Sequence, residues 1–505
     1  AMTRRIAINV LEILDGRDAG NLPATVSPYA DNFVVNVETF RKIDYYPGFK
    51  AVQEARMLNL DKLRQGTRIS LKGIIREALE RNLDLRMEKA DTGIQAEEAG
   101  IAGAALLPQV SLSTGITRVD ENRVEISRTV PARNTWSGSG SIRQVVFSDD
   151  ILAGRAIQNI LLESQKYQEK AVLLDTVVTA AQAYITLLSA KSNQTIQNNN
   201  LEVTRKNLDI ARNKAEVGSV DTSEVNRWES EKASNMIRLN DAYRDLRIAG
   251  MALNQVLDRP ITKEYTSEDI NPGTAIELMV TDPEIYRLVG NFKQLVRFSD
   301  FLIRETDRNL PELAQIKQTL RSEERTLLNR QRAMYLPDIT LTGNVDKVLG
   351  EWESPGKTPS DLDHPWSVGL SATWPLFTGG SDKRQLAQSR IQIHRIRMQE
   401  RDLRNRLHLS VRSNLETAAV SAREIELAET AWISARKSFE IIQAGYAEGR
   451  NSVTDLVDAQ NAMVTSERNA ALARYQFIID FKTLERSIGR FYFLETPEER
   501  QAFLT

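Results

Sequence analysis

Three stretches of this 505-residue chain recur in the same order, and that recurrence constrains the fold more than any single motif. LLPQVSLSTGI (Leu106 to Ile116) is echoed by YLPDITLTGNV (Tyr335 to Val345), with Pro108 and Pro337 229 positions apart. SGSGSIRQVVF (Ser137 to Phe147) matches SVGLSATWPLF (Ser367 to Phe377) at an offset of 230. EVGSVDTSEV (Glu216 to Val225) parallels EGRNSVTDLV (Glu448 to Val457), and their Gly218 and Gly449 lie 231 apart. The chain therefore reads as a tandem duplication. Each half runs helix, strand pair, long helix, sharp turn, return helix.

The strand pairs, expected near 108–119 and 135–147 and again near 337–347 and 366–377, alternate in polarity. Trp366, Val368, Leu370, Ala372, Trp374 and Leu376 share one face, and Ser367, Gly369, Ser371 and Thr373 the other. Ile339, Leu341 and Val345 repeat the pattern, as do Val110, Leu112 and Ile116 and, on their partner strand, Trp136, Ile142 and Val146. Segments of about 10 residues suit tilted membrane strands, and Trp136, Trp366 and Trp374 near the strand ends suit an interfacial aromatic girdle. The same alternation suits a soluble hairpin on a dry core, so the strands alone leave both readings open.

From about Asp149 to Val217 and from about Ser381 to Glu448 there is no Pro and almost no Gly, which predicts helices of about 105 Å at 1.5 Å per residue. Apolar residues at steps of three and four (Val172, Leu173, Val177, Ala180, Tyr184, Leu187, Leu188) demand partner helices along the length. Gly218 and Gly449 fall where a left-handed residue ends a helix. Asp221 with Glu224, and Ser452 with Asp455, have capping-box spacing for return helices to about Leu257 and Ile488. Pro260, Pro272, Pro283 and Pro311 punctuate the link between halves.

Composition removes several function classes. Cys is absent, which excludes disulfides, thiolate zinc sites, Cys nucleophiles and, in this chain, a lipidated N-terminal Cys. The three His (His364, His394, His408) lack metal-ligand spacing, and no P-loop or GxSxG is present, so no metal, cofactor or enzyme chemistry is expected. A net charge of −2 argues against nucleic acid as a partner. With 41% hydrophobic residues and no long apolar run evident, a transmembrane helix is not expected, while a β-barrel stays open. Ala1-Met2 reads as an appended scar, implying that an export signal has been removed.

Four membrane strands cannot close a barrel, because an open sheet edge in lipid leaves backbone groups unpaired. Two copies would supply 8 strands and three would supply 12, the latter wide enough for a water-filled lumen. The stretches AGYAEGRNSVTDLVDAQNA (Ala444 to Ala462), ARYQFIIDFKTLERSIG (Ala473 to Gly489) and WPLFTGG (Trp374 to Gly380) carry a resemblance to the TolC-like outer-membrane efflux protein family, over about residues 68–490. The resemblance implies a mainly α fold with a membrane β-barrel portion: a homotrimer with a 12-stranded barrel and a helical tunnel of duplicated hairpins. It places the chain in the outer membrane of a Gram-negative bacterium, in contact with outer-membrane lipid. It also implies a periplasmic adaptor protein and an ABC or proton-driven inner-membrane pump as partners, with small molecules passing through passively. A type I protein-secretion duct is the alternative within the fold, and a soluble coiled-coil rod the alternative outside it.

In that family a Tyr, a basic residue and two aspartates hold the tunnel entrance shut. Tyr446, Asp455 and Asp458 stand at the matching positions, and Asn451 falls where some members place Arg. Six carboxylates around a trimer axis would raise pKa values or recruit cations. The tips Gly218, Ser219, Val220, Gly449, Arg450 and Ser452 are the expected adaptor contacts. The implied organisation is an N-terminal extension (1–67), a first repeat (68–257), an equatorial linker (258–310), a second repeat (311–490) and a tail (491–505). The extension, through Arg4 to Pro23 and Val34 to Asn59, faintly resembles the last segment of an ABC-type periplasmic substrate-binding protein.

Overall fold

The structure, a computed structural model, describes residues 34–36, 39, 56–58, 68–120, 122, 132–263, 266–267, 292–352 and 365–491. Most of the N-terminal extension, and with it the substrate-binding-protein resemblance, lies outside the described residues. Two short parallel pairings fall within them, Val34–Asn36 with Arg56–Leu58 and Arg68–Ile69 with Thr266–Ser267.

The first half comprises α1 (Leu71–Arg81), α2 (Leu83–Ala104), β1 (Gln109–Arg118), β2 (Asn134–Phe147), α3 (Asp149–Glu216) and α4 (Thr222–Val256). After α5 (Phe292–Asn309) the second half repeats it as α6 (Pro311–Arg332), β3 (Asp338–Trp352), β4 (Trp366–Thr373), α7 (Ser381–Ala447) and α8 (Val453–Ile488). At 68 and 67 residues, α3 and α7 each extend about 100 Å. Ser148, directly after β2, caps α3 through Ile151 N, and Gly380, at φ +83°, opens α7.

The strands form one antiparallel sheet ordered β1-β2-β3-β4, so β1 and β4 are open edges. Register aligns Val110, Ile142, Gly343 and Val368 in one cross-strand row, and Leu112, Gly140, Val345 and Trp366 in another. The opposite face carries hydroxyl ladders, Ser111 to Ser141 at 2.6 Å and Ser113 to Ser139 at 2.7 Å. The apolar face is bare: Val110, Leu112, Val368 and Leu370 are all exposed, Leu112 at 89%. Two sequence expectations are corrected. β3 continues to Trp352, pairing with β2 as far as Asn134. β4 stops at Thr373, leaving Trp374 and Leu376 outside it, because Pro375 offers no donor and restricts the residue before it.

The helices share two cores with α8 wedged between them. On one side Tyr475 and Ile478 pack with α1, α3 and α4 around Ile74, Tyr184 and Leu253. On the other, Phe477, Phe481, Leu484 and Ile488 pack with α5 and α7 around Leu302, Val411 and Leu415. Between the cores Lys482 Nζ donates to Glu485 Oε2 at 2.7 Å, with side chains 0% and 4% exposed. Arg486 fixes the pillar to its neighbours through Asp175 on α3 (2.6 Å) and Glu312 on α6 (2.7 Å). Contrary to the composition-based expectation, an 18-residue window of α3 reaches a mean hydropathy of 1.6. That window is 56% buried, as suits a core-lining segment.

Candidate functional site at the hairpin tips

Both tips are built by the same turn chemistry. Ser219 N donates to Lys214 O (2.9 Å) and Arg450 N to Gly445 O (2.7 Å), the long bonds of Schellman turns, with Gly218 and Gly449 at φ +71° and +79°. At the second tip the capping box forms in full. Asp455 N donates to Ser452 Oγ (3.2 Å) and Ser452 N to Asp455 Oδ2 (3.0 Å); the Ser452 hydroxyl at 2.7 Å from Oδ2, and after it the Ser452 N–H, lower the Asp455 pKa. At the first tip the expected box does not form. Asp221 caps α4 by accepting from Ser223 N at 2.7 Å, while the Glu224 carboxylate turns away from the cap.

Glu224 turns to Tyr446. The Tyr446 hydroxyl donates to Glu224 Oε2 at 3.0 Å, and Lys214 Nζ lies 4.2 Å from the ring centre while donating to Tyr446 O at 2.7 Å. Tyr446 is thus gripped by both helices of the first hairpin and buried with Trp228, Leu208 and Phe439. Burial, with the Glu224 bond and charge adding to it, pushes its pKa up to about 12. Asn451 lies against the last turn of α7. A Cβ built on Gly445 would sit 1.9 Å from its Oδ1, so Gly445 is what admits that side chain. Asp455 and Asp458 are both exposed on α8, three residues apart and directed away from the tip core. Of the tip residues, Gly218, Ser219, Gly449, Arg450 and Ser452 are exposed, and Val220 and Asn451 are half-buried.

A polar seam behind the tips ties the hairpins again. Gln460 on α8 donates to Asn200 Oδ1 and Thr204 Oγ1, both at 2.7 Å, and accepts from Asn207 Nδ2 at 3.1 Å. Asn235 on α4 joins through Thr204 Oγ1 at 2.9 Å. All five residues are buried. Gln460→Leu strands Asn200 and Asn207, at about 1–3 kcal/mol for each buried group left unpaired. The expected readout is faster amide exchange in α3 around 200–207, with the segments bordering α1 unchanged.

Sequence reasoning singled out Tyr446 and Glu224 separately and missed Lys214 and Trp228. The duplication holds the missing signal. Lys214 stands where the second half has Gly445, Trp228 where it has Ala459, and Glu224 where it has Asp455. Divergence at matched positions marks the residues that join the unlike halves.

A bare apolar sheet rooted on long, capped helical hairpins defines a subunit of an outer-membrane channel. The chain belongs to the outer membrane efflux protein family, whose sequence model matches residues 74–259 and 302–490. It is 23% identical over 453 residues to Outer membrane protein TolC of Escherichia coli strain K12, covering 88% of this chain and 84% of that protein. Among solved structures the fold is similar to CusC (TM-score 0.68, 15% identity), over 86% of this chain and 95% of that one. The Campylobacter jejuni CmeC outer membrane channel matches at TM-score 0.65 and 16% identity, over 86% and 88%. The chain is accordingly an outer-membrane duct protein and not an enzyme.

Proposed function

We propose that three copies of this chain form the outer-membrane duct of a tripartite exporter. An inner-membrane pump and a periplasmic adaptor would load it with small molecules. The observation that carries this reading is the open four-stranded sheet with an uncovered apolar face. Its two edges can be satisfied in lipid only by other strands, and three copies supply the 12 that leave an aqueous lumen. From Trp136 to Phe147, β2 runs about 36 Å at 3.3 Å per residue, or about 26 Å of membrane depth when tilted by about 45°. Trp136 and Trp352 mark the far end of that span and Trp374 the helical end, two levels suited to lipid interfaces, with Trp366 at the start of β4 in the row of Gly140.

Tyr446, clamped by Lys214 and Glu224, holds the two hairpin tips of each copy together. Asn451, packed on Gly445, braces the turn. Asp455 and Asp458, exposed from each of three copies, place six carboxylates at the narrowest point. The exposed turns, Gly218 and Ser219 with Gly449, Arg450 and Ser452, and with Val220 beside them, are the surface for the adaptor.

The direct test is reconstitution of purified protein into planar bilayers, with its detergent-solubilised mass measured alongside. Stable channels from an assembly of three chains of 57.0 kDa each are expected, and a monomer without conductance overturns the reading. Asp455→Asn with Asp458→Asn removes the charges while keeping an acceptor for the cap. The half-blocking concentration of Mg²⁺ is then expected to rise at least about tenfold, a loss of about 1.4 kcal/mol of binding. Unchanged block removes the aspartates from the constriction.

A further inference from the structure

The duplication leaves two helices with complementary unfinished faces. α6 lies against both α3 and α7, whereas its repeat-mate α2 packs along α3 with only slight contact to α1 at its start. On the open side of α2, Leu83, Met87, Ile94 and Ile101 make an exposed apolar stripe, Ile101 at 70%. Asp84, Asp91 and Glu98 follow at seven-residue steps along one flank. On the open side of α7 are Ile391 and Met398, flanked by Arg384 and Arg395. None of these five charged side chains has an ion-pair partner among the described residues. The charge balance is lopsided to match. α2 carries five carboxylates against two cations, and Ser381 to Arg412 carries nine cations against three carboxylates.

We infer that α2 of one copy docks antiparallel on α7 of the next, with an apolar seam laced by Glu98 to Arg384 and Asp84 to Arg395. The occupant is a second copy of this chain because the open edges of the sheet, β1 and β4, are the strands joined to α2 and α7. Pairing β4 of one copy with β1 of the next lays α7 beside α2, one ascending to the sheet and the other descending from it. The level follows from the duplicate contact inside the chain. There Asn329 on α6 donates to Asp150 on α3 at 3.0 Å, and the repeat offset carries that pair to Gly100 and Gly380. Counting outward along antiparallel helices brings Glu98 level with Arg384, Asp84 with Arg395 and Leu83 with Met398. The in-chain seam is itself laced by charge, Arg325 and Arg332 reaching Asp149 at 3.4 and 3.2 Å. Between copies the signs are exchanged, acid on the short helix and base on the long one.

This inference rests on the assembly of three copies proposed above, and its test separates the two. Because the chain has no Cys, Leu83→Cys with Met398→Cys is expected to give dimer and trimer bands on oxidation, and neither single variant should. Asp84→Arg with Glu98→Arg is expected to lower the trimer fraction in detergent at least tenfold at physiological salt. Adding Arg384→Glu and Arg395→Glu should restore it, which a misfolded variant could not show. A trimer whose paired-cysteine variant does not cross-link and whose charge-reversed variant assembles as before overturns the seam and leaves the duct reading standing. A wild-type monomer overturns the assembly itself. Reversal that keeps the trimer but abolishes capture of the adaptor assigns the face to that partner and overturns the inference.

Discussion

Lys482→Met is expected to destabilise the protein by about 3–5 kcal/mol, although Met is apolar and position 482 is fully buried. The cause is the partner left behind. The Lys482 ammonium donates to Glu485 at 2.7 Å and lies 5.4 Å from the Phe481 ring, between two apolar cores. Removing the cation takes the 2.7 Å donor from a carboxylate held in a dry site, and that loss exceeds any gain from methionine packing. Lys482→Met with Glu485→Leu removes both charges and should recover most of the loss. Urea midpoints of the helical circular dichroism signal in detergent give the comparison. Equal stability of the single and double variants would show that the pair is not desolvated as the geometry requires.

Tyr446→Phe is expected to loosen the joint between the two hairpin tips with little change in overall stability. The bond to Glu224 is to a charged acceptor, a class worth about 1.5–3 kcal/mol, or about 10–100-fold in a two-state equilibrium. Open probability in bilayers should rise by at least tenfold. Glu224→Gln, which keeps an acceptor without the charge, should have a smaller effect. The alkaline response carries the sign. Tyr446 titrates in the folded protein at about 12, above the ordinary value near 10. Its contribution is therefore complete below pH 10 and lost as pH rises through about 12. Conductance should stay flat from pH 7 to 10 and climb beyond it, and Tyr446→Phe should show no such climb. A wild-type channel indifferent to that window would remove the tyrosine from the latch.

How much of this was legible in the sequence depends on whether local chemistry decided it. The long helices were, because runs without Pro and with a single Gly each (Gly154 and Gly445) between Ser148 and Gly218, and between Gly380 and Gly449, leave no competing local structure. Strand alternation was also legible, and it failed at Pro375, where one residue without a donor ended β4 early. The tip latch was only half legible. Glu224 has the spacing of a capping residue, and a buried tyrosine from another hairpin outcompeted that local role. Lys214 and Trp228 carry no local signature at all; their parts follow from which helices the turns bring together. The charge seam was likewise invisible along the chain. Asp84 and Arg395 become a pair only once the sheet edges show which helices are left open.

The placement of α8 between two separate cores has a mechanical consequence. About 45 Å from the sheet, midway along α7, the pillar α8 is gripped on both sides, by Tyr475 and Ile478 in one direction and by Phe477 and Phe481 in the other. Toward Val453 the grip thins to one cluster and a run of amides. A pull exerted at the turns would be absorbed over that softer length, and the lipid-facing end would hold its shape throughout. Such a device is rigid at its waist and pliant at its mouth, so force arriving from below could change its aperture without putting its seat in the lipid at risk.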